Sequence, residues 1–316
     1  MDWSQLKIAD LDLLLAVCGY ESRATFVAEE VYGNVTQTVI LDYGARSGLA
    51  YDANRAKFDK MKNRIFLSLD GDYISRLQSI IQENAKLKPE NERITVLFDV
   101  SCSSRRLMSK VLLSLDKTLR GRLDLKCTYA VSKYYEPPID ELPSHISEPV
   151  VGELSGWSND LAQPPCAIIG LGFEPGRAIG CLDYLEIPEV RLFQPFGPDP
   201  RFIDAVETAN QQLIEDAGHR HLLPYSIMEP IDTYLKLESM VYGLLDKFRP
   251  VLIPLGPKIF SATCIILAIR NAPQICVWRT SSGSLAQPLD IETDGNVAVF
   301  NVGAIHAKSI EPLSKA

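Results

Sequence analysis

The chain is poor in the residue types that most often announce chemistry. Among its 316 residues are four histidines, His145, His219, His221 and His306, and none stands at the end of an apolar run. No HExxH pair and no Ser, His, Asp order is visible, so a zinc-protease helix and a simple hydrolytic triad are not indicated. The seven cysteines form no CxxC pair, and Cys18, Cys127, Cys264 and Cys276 lie inside apolar runs. An odd number at this spacing reads as reduced thiols, with neither a disulfide framework nor a zinc site. No metal or cofactor is therefore expected. Cys18 and Cys102 fall at strand ends without a histidine near them in sequence, so a thiol nucleophile would need a partner brought in by the fold. A P-loop is missing as well, since GxxxxGK[ST] does not occur.

Positive charge is also in short supply. Thirty-two Lys and Arg stand against 40 Asp and Glu, for a net charge of −8. That balance argues against a general DNA or RNA binder or a protein of acidic membrane surfaces. A small anion held in a local basic pocket is still compatible with it. The amino end, Met-Asp-Trp-Ser-Gln-Leu-Lys, lacks the basic and then apolar run of a signal peptide. No apolar stretch approaches the roughly 18 residues needed to span a bilayer. The expected location is the cytoplasm.

What the chain has in quantity is alternation of apolar runs with amphipathic stretches. Apolar residues make up 46 % of it, ample for two cores. Residues 94 to 108, Ile-Thr-Val-Leu-Phe-Asp-Val-Ser-Cys-Ser-Ser-Arg-Arg-Leu-Met, show the unit most plainly. A buried strand ends at Asp99, a polar turn follows, and a helix carries Leu107, Val111, Leu112, Leu115 and Leu119 on one side. Strands are also expected at residues 8–18, 37–41, 64–69 and 123–131. Helical periods lie between them, with Ala24, Val27, Ala28 and Val31 in the first and Ile74, Leu77, Ile80 and Ile81 in the third. Near-continuous apolar strands alternating with helices indicate a mainly parallel sheet covered on both faces. The expected fold is α/β, with a Rossmann-like unit over residues 1–135.

Residues 136–164 then turn rich in proline, serine and acid and read as a linker. The next stretch, 165–316, repeats the first unit. In the run from Ala167, Ile168-Ile-Gly-Leu-Gly-Phe-Glu-Pro-Gly-Arg-Ala matches Leu15-Ala-Val-Cys-Gly-Tyr-Glu-Ser-Arg-Ala with one residue inserted. Val190-Arg-Leu-Phe-Gln-Pro-Phe-Gly matches Thr38-Val-Ile-Leu-Asp-Tyr-Gly, and Val251-Leu-Ile-Pro-Leu-Gly-Pro-Lys follows the plan of the Asp99 stretch. The offset stays near 153 to 158 residues, as a tandem duplication would leave it. In this second unit Ser261 is expected to cap a helix over Cys264 to Ile269. The tail around Val297-Ala-Val-Phe-Asn-Val reads as an added strand or hairpin.

The residues that could carry function cluster at strand ends, where open α/β sheets bind ligands. Gly19 and Gly172 permit close turns, and each is followed by an acid and a base, Glu21 with Arg23 and Glu174 with Arg177. An arginine at a helix start opposes the helix dipole unless a bound anion or a local carboxylate uses it. Asp99, Ser101 and Arg105 follow the fourth strand, and Lys258 follows its counterpart in the repeat. Arg46, Asp70 and Glu229 complete the candidate set. The paired acids could serve a metal, acid–base chemistry or neighbouring arginines. Tyr134-Tyr135 and Trp278-Arg279 follow the fifth strands and could stack on a base or pack beneath the linker.

Aspartate, one residue, serine, three residues, arginine after a fourth strand resembles the ligand motif of the CRISPR-associated Rossmann-fold (CARF) sensors. Two fused copies of such a unit resemble the related SAVED domains of cyclic-oligonucleotide defence systems. Asp99, Ser101 and Arg105 match the motif by position; the second unit has Leu255-Gly-Pro-Lys258 there instead. The resemblance implies a pocket for a cyclic oligonucleotide between the two units, in bacterial antiviral defence. It also implies a protein partner as effector, since no nuclease, protease or membrane segment is recognisable in the chain.

The expectation is thus a ligand-sensing or regulatory module for a small anionic or nucleotide-type ligand. Two alternatives use the same residues. One is an enzyme acting on a phosphorylated or nucleotide substrate, with Asp99 or Glu21 as acid–base group. The other is an adaptor subunit of a multi-protein complex, in which the charge pairs are only structural.

Overall fold

The computed structural model describes residues 1–44, 48–137, 146–156, 162–281 and 288–306. In the first half, strand β1 (Leu11–Cys18) is followed by a 3₁₀ turn over Ser22–Thr25 and helix α2 (Phe26–Val31). Then come β2 (Val35–Asp42), α3 (Tyr51–Phe58), β3 (Arg64–Ser68), α4 (Tyr73–Ala85), β4 (Ile94–Asp99), α5 (Arg105–Leu119) and β5 (Leu123–Ser132). A short helix α1 (Trp3–Lys7) precedes them; its capping box, Asp2 with Gln5, closes its first turn. The second half has β6 (Ile146–Pro149), β7 (Pro165–Gly170), α6 (Arg177–Leu185), β8 (Glu189–Phe196), α7 (Arg201–Ala217) and β9 (Leu222–Ser226). It continues with α8 (Pro230–Leu244), β10 (Arg249–Pro254), α9 (Lys258–Arg270), β11 (Cys276–Ser281) and β12 (Thr293–Gly303).

These strands form two six-stranded sheets, ordered β12-β5-β4-β1-β2-β3 and β6-β11-β10-β7-β8-β9. Replacing β1–β5 by β7–β11 turns one order into the other, so the repeat seen in sequence is a repeat of topology. The fold is α/β with two tandem Rossmann-like units. All pairings are parallel except at one edge of each sheet, where β12 runs antiparallel to β5 and β6 antiparallel to β11.

Those two edges are exchanged between the units. The strand after β5 in sequence, β6, pairs with β11 of the second sheet, Trp278 lying opposite Pro149. The strand after β11, β12, pairs with β5 of the first sheet, Val297 opposite Ala130 and Phe300 opposite Cys127. The linker thus contributes a strand to the second sheet, and the tail strand closes the first.

Side-chain alternation explains the layers. Leu13, Leu15 and Val17 of β1 face one way and Leu14, Ala16 and Cys18 the other. The first set joins a core shared by both units, in which α4, α5, α8 and α9 lie between the sheets. The second set packs under α1, α2 and α3. On the far side, Ala167 and Ile169 pack under α6 and α7. Helix α9 is buried from Ile259 to Ile269 on every side, which is why its sequence is apolar all round. It begins at Lys258, earlier than the sequence suggested, because Pro257 fits the position before a first turn. Ser261 therefore lies within the helix instead of capping it. Arg270 at its end donates to the carbonyls of Val302, Ala304 and Ile305, tying the end of β12 and the chain just beyond it to the second unit.

Candidate functional site

The carboxyl ends of both parallel sheets open on a common cavity of about 320 Å³. From the first unit it is lined by Glu21 and Arg23 after β1, Arg105 at the start of α5, and Tyr129 and Tyr135 at and beyond the end of β5. From the second it receives Gly172 to Glu174 after β7, Phe202 of α7, and Leu255 to Lys258 before and at the start of α9. The volume lies at the lower end of the roughly 300–1,000 Å³ usual for small-molecule sites.

Close turns shape the second unit's rim. A Cβ on Gly256 would lie 2.4 Å from the Leu171 carbonyl oxygen, and one on Gly172 would lie 3.0 Å from that of Leu255. Both glycines let the β7 and β10 turns meet backbone to backbone. Gly19 has more room, with Cys102 Cβ at 3.8 Å from its Cβ position.

Arg23 is 4 % exposed and spends its donors internally. It pairs with Glu21 at 2.7 Å, donates to the Ala130 carbonyl at 2.9 Å and the Ser101 carbonyl at 3.4 Å, and lies over the Tyr129 ring. This clasp ties the loop after β1 to the ends of β4 and β5. Beneath it Asp99, 2 % exposed, accepts from Ser101 N at 3.1 Å and Ser101 Oγ at 2.5 Å. Ser101 Oγ in turn accepts from Ala130 N at 2.8 Å. Asp99 and Ser101 thus support the cavity floor without lining it. Burial pushes the Asp99 carboxyl up to about 6, against the lowering effect of the Ser101 hydrogen bonds and Arg23.

Arg105 reaches across to the second unit, donating from Nη2 to the Leu255 carbonyl at 2.8 Å and the Gly256 carbonyl at 3.3 Å. Its Nε is buried without a hydrogen-bond partner among the described residues. The Lys258 side chain, half-buried in the cavity wall, makes no hydrogen bond or ion pair with the described residues. Burial, and then the Arg105 charge, lower its ammonium to about 8, while Glu21 and Glu174 act in the opposite sense. Glu174 accepts Arg177 at 3.5 Å at the start of α6; Arg177 does not line the cavity. Burial and Glu21 push the Cys102 thiol well above its ordinary range, which leaves it a poor nucleophile.

Three sequence candidates stand apart from this group. Asp70 is 76 % exposed in the turn after β3 and pairs with Arg76 of the following helix α4, at 2.8 Å. Glu229 is exposed at the residue before α8 and does not line the cavity. Arg46 lies outside the described residues. Trp278 and Arg279 are engaged at the second sheet's edge, Trp278 Nε1 on Ser147 Oγ at 2.9 Å and Arg279 on Glu148.

The feature least visible in sequence is an aromatic wall. Tyr135 meets Phe173 edge-on, with ring centres 5.2 Å apart, and Phe173 lies 5.8 Å from Phe202. Tyr134 packs on Phe202 at 5.1 Å. The tyrosines precede the exchanged strand and the phenylalanines come from the other unit, so no local pattern predicts the cluster. Only the tyrosine pair after a strand end gave a signal.

Fold and cavity together define a tandem Rossmann-like α/β protein with a polar, aromatic-walled cavity where its two units meet. No family model matches the chain, and no curated protein matches it. Among the described residues no three His, Cys, Asp or Glu side chains are grouped so as to hold a metal ion, and no helix is long and apolar enough to cross a membrane.

Proposed function

We propose that the chain is a sensing or regulatory module that binds a nucleotide-type anion in the cavity between its units. The observation that carries this reading is the Lys258 ammonium, unpaired with any described residue, in a cavity that also holds an aromatic wall. Leaving a cation without a partner in a partly desolvated site is costly, and a phosphate would offset the cost. Flat rings accept any base by stacking. Glu21 and Glu174 offer acceptors for hydroxyl groups of a sugar.

The resemblance of Asp99-x-Ser101-x-x-x-Arg105 to the CARF motif extends the proposal to cyclic oligonucleotides, antiviral defence and an effector protein as partner. In that extension the motif acts differently from direct contact. Asp99 and Ser101 hold the floor, and only Arg105 reaches the cavity. The same burial counts against Asp99 as an acid–base group touching a substrate, which weighs against the enzyme alternative.

The test is a thermal-unfolding screen of the purified chain against linear and cyclic nucleotides, followed by mass spectrometry of each mixture. The proposal expects stabilisation with the ligand recovered intact, by about 2.7 kcal/mol at a hundredfold excess over Kd. Ligand consumption would favour an enzyme. No shift with any nucleotide would overturn the proposal and leave the adaptor reading.

A further inference from the structure

The two units repeat in topology, yet the helix starts that follow β4 and β10 are built differently, and the difference bears on where an anion sits. At α5 a serine caps the helix start, and of that start only Arg105 lines the cavity. Ser104 Oγ accepts from Leu107 N at 3.2 Å, and Ser104 N is itself bonded to the Tyr43 hydroxyl at 3.0 Å. The first residue of α5, Arg105, turns away to the Leu255 and Gly256 carbonyls.

At α9 the corresponding place is open. The preceding residue is Pro257, which supplies no side-chain cap; its carbonyl accepts the Phe260 amide at 3.0 Å, so the amides of Lys258 and Ile259 are the ones left at the positive end of this thirteen-residue helix. Gly256, Pro257 and Lys258 all line the cavity. Three further groups near this turn have no hydrogen-bond partner among the described residues. They are the Lys258 ammonium, the buried Nε of Arg105, and the hydroxyl of Tyr225. Tyr225 is fully buried, and its oxygen lies 3.5 Å from the Cβ position of Gly256. Helix dipole and two cations from different units thus meet where Gly256 to Lys258 line the cavity, with the buried Tyr225 hydroxyl behind the Gly256 turn; Tyr135, Phe173 and Phe202 line the same cavity.

We infer that the chain has one phosphate-binding subsite, at the N-terminus of α9, formed by the first amides of that helix, Lys258 and Arg105, with no counterpart at α5. This rests on the nucleotide reading for what the phosphate is attached to. A phosphate there bridges a helix of the second unit and an arginine of the first, so occupancy links the units. It also sets polarity, since the phosphate faces α9 and the base stacks on the aromatic wall.

The experiment is isothermal titration calorimetry of the full chain with inorganic phosphate, adenosine, 5′-AMP and a cyclic dinucleotide. It uses wild type, Lys258→Ala, Lys258→Gln and, as a control cation on α5, Lys110→Ala, each checked for native unfolding behaviour. Expected are one phosphate per chain and one AMP per chain. Both neutral Lys258 variants should weaken them by about tenfold to a hundredfold. Lys110→Ala should change neither, and adenosine binding should be insensitive to Lys258. Nucleotide binding that ignores both Lys258 variants overturns the subsite and leaves the nucleotide reading intact. Phosphate binding that depends on Lys258, with no nucleotide bound, keeps the subsite and overturns the nucleotide reading. Two phosphates per chain overturn the asymmetry, and no binding of any probe overturns both.

Discussion

At the scale of single residues, burial shifts Asp99 beneath the cavity and Lys258 in its wall in opposite directions, and each gives a pH-dependent prediction. Asp99 is an acid raised to about 6 by burial. The folded state therefore holds its proton over a pH window where the unfolded chain has lost it. Stability attributable to Asp99 falls as pH rises from about 4 through 6, by at most about 3 kcal/mol. Asp99→Asn keeps an oxygen for both Ser101 donors, so it should flatten that part of the stability profile in urea titrations between pH 4 and 7. An unchanged profile would mean that Asp99 titrates normally. Lys258 is a base lowered to about 8. Anion affinity should accordingly weaken as pH rises above 8, and Lys258→Arg, which stays charged, should hold its affinity to pH 9.5 in the same titration.

At the scale of elements, β12 is the feature that the chain order conceals. The division at residues 165–316 groups it with the second unit, while its hydrogen bonds place it in the first sheet. Phe300 is buried there, 5.8 Å from the Tyr234 ring of α8. Phe300→Ala should cost about 3–5 kcal/mol in urea denaturation, as for a core phenylalanine; a loss below 1 kcal/mol would show that the strand is dispensable. The parallel strands and their helices were legible because their periods are local: Leu107, Val111, Leu112 and Leu115 declare a face within a dozen residues. The edge strands were not. Ile146-Ser-Glu-Pro carries no period, and which sheet it joins depends on a partner far along the chain. Gly172 announced a tight turn, but that it meets Leu255 was not readable. Asp99 and Ser101 were recognisable as strand-end residues, though not the direction of their side chains, because that depends on Arg23 and Ala130 folding over them.

At the scale of the whole molecule, the exchanged strands and the shared core make the two units one cooperative body. Helices α5 and α9 bury their apolar faces in the same cluster, and each sheet lacks an edge without the other half's chain. Calorimetry of the full chain should show a single unfolding transition. Residues 1–135 and 162–316 produced separately should fail to give a cooperative transition, because each loses an edge strand and exposes part of the common core. Two independent transitions in the full chain would contradict this description. The same interlock gives the cavity its meaning. Its lining comes from both units, and both connections leading into the exchanged strands contribute to it, Tyr135 before β6 and Ile291 before β12. A ligand held there would touch residues of both units.

Hydrogen exchange of the full chain with and without a saturating nucleotide from the thermal screen is the most direct test of that claim. Slower exchange is predicted together in segments 20–23, 129–135, 171–174 and 255–260, which belong to both units. Protection confined to one unit, or lying away from these segments, would contradict a ligand site between the units.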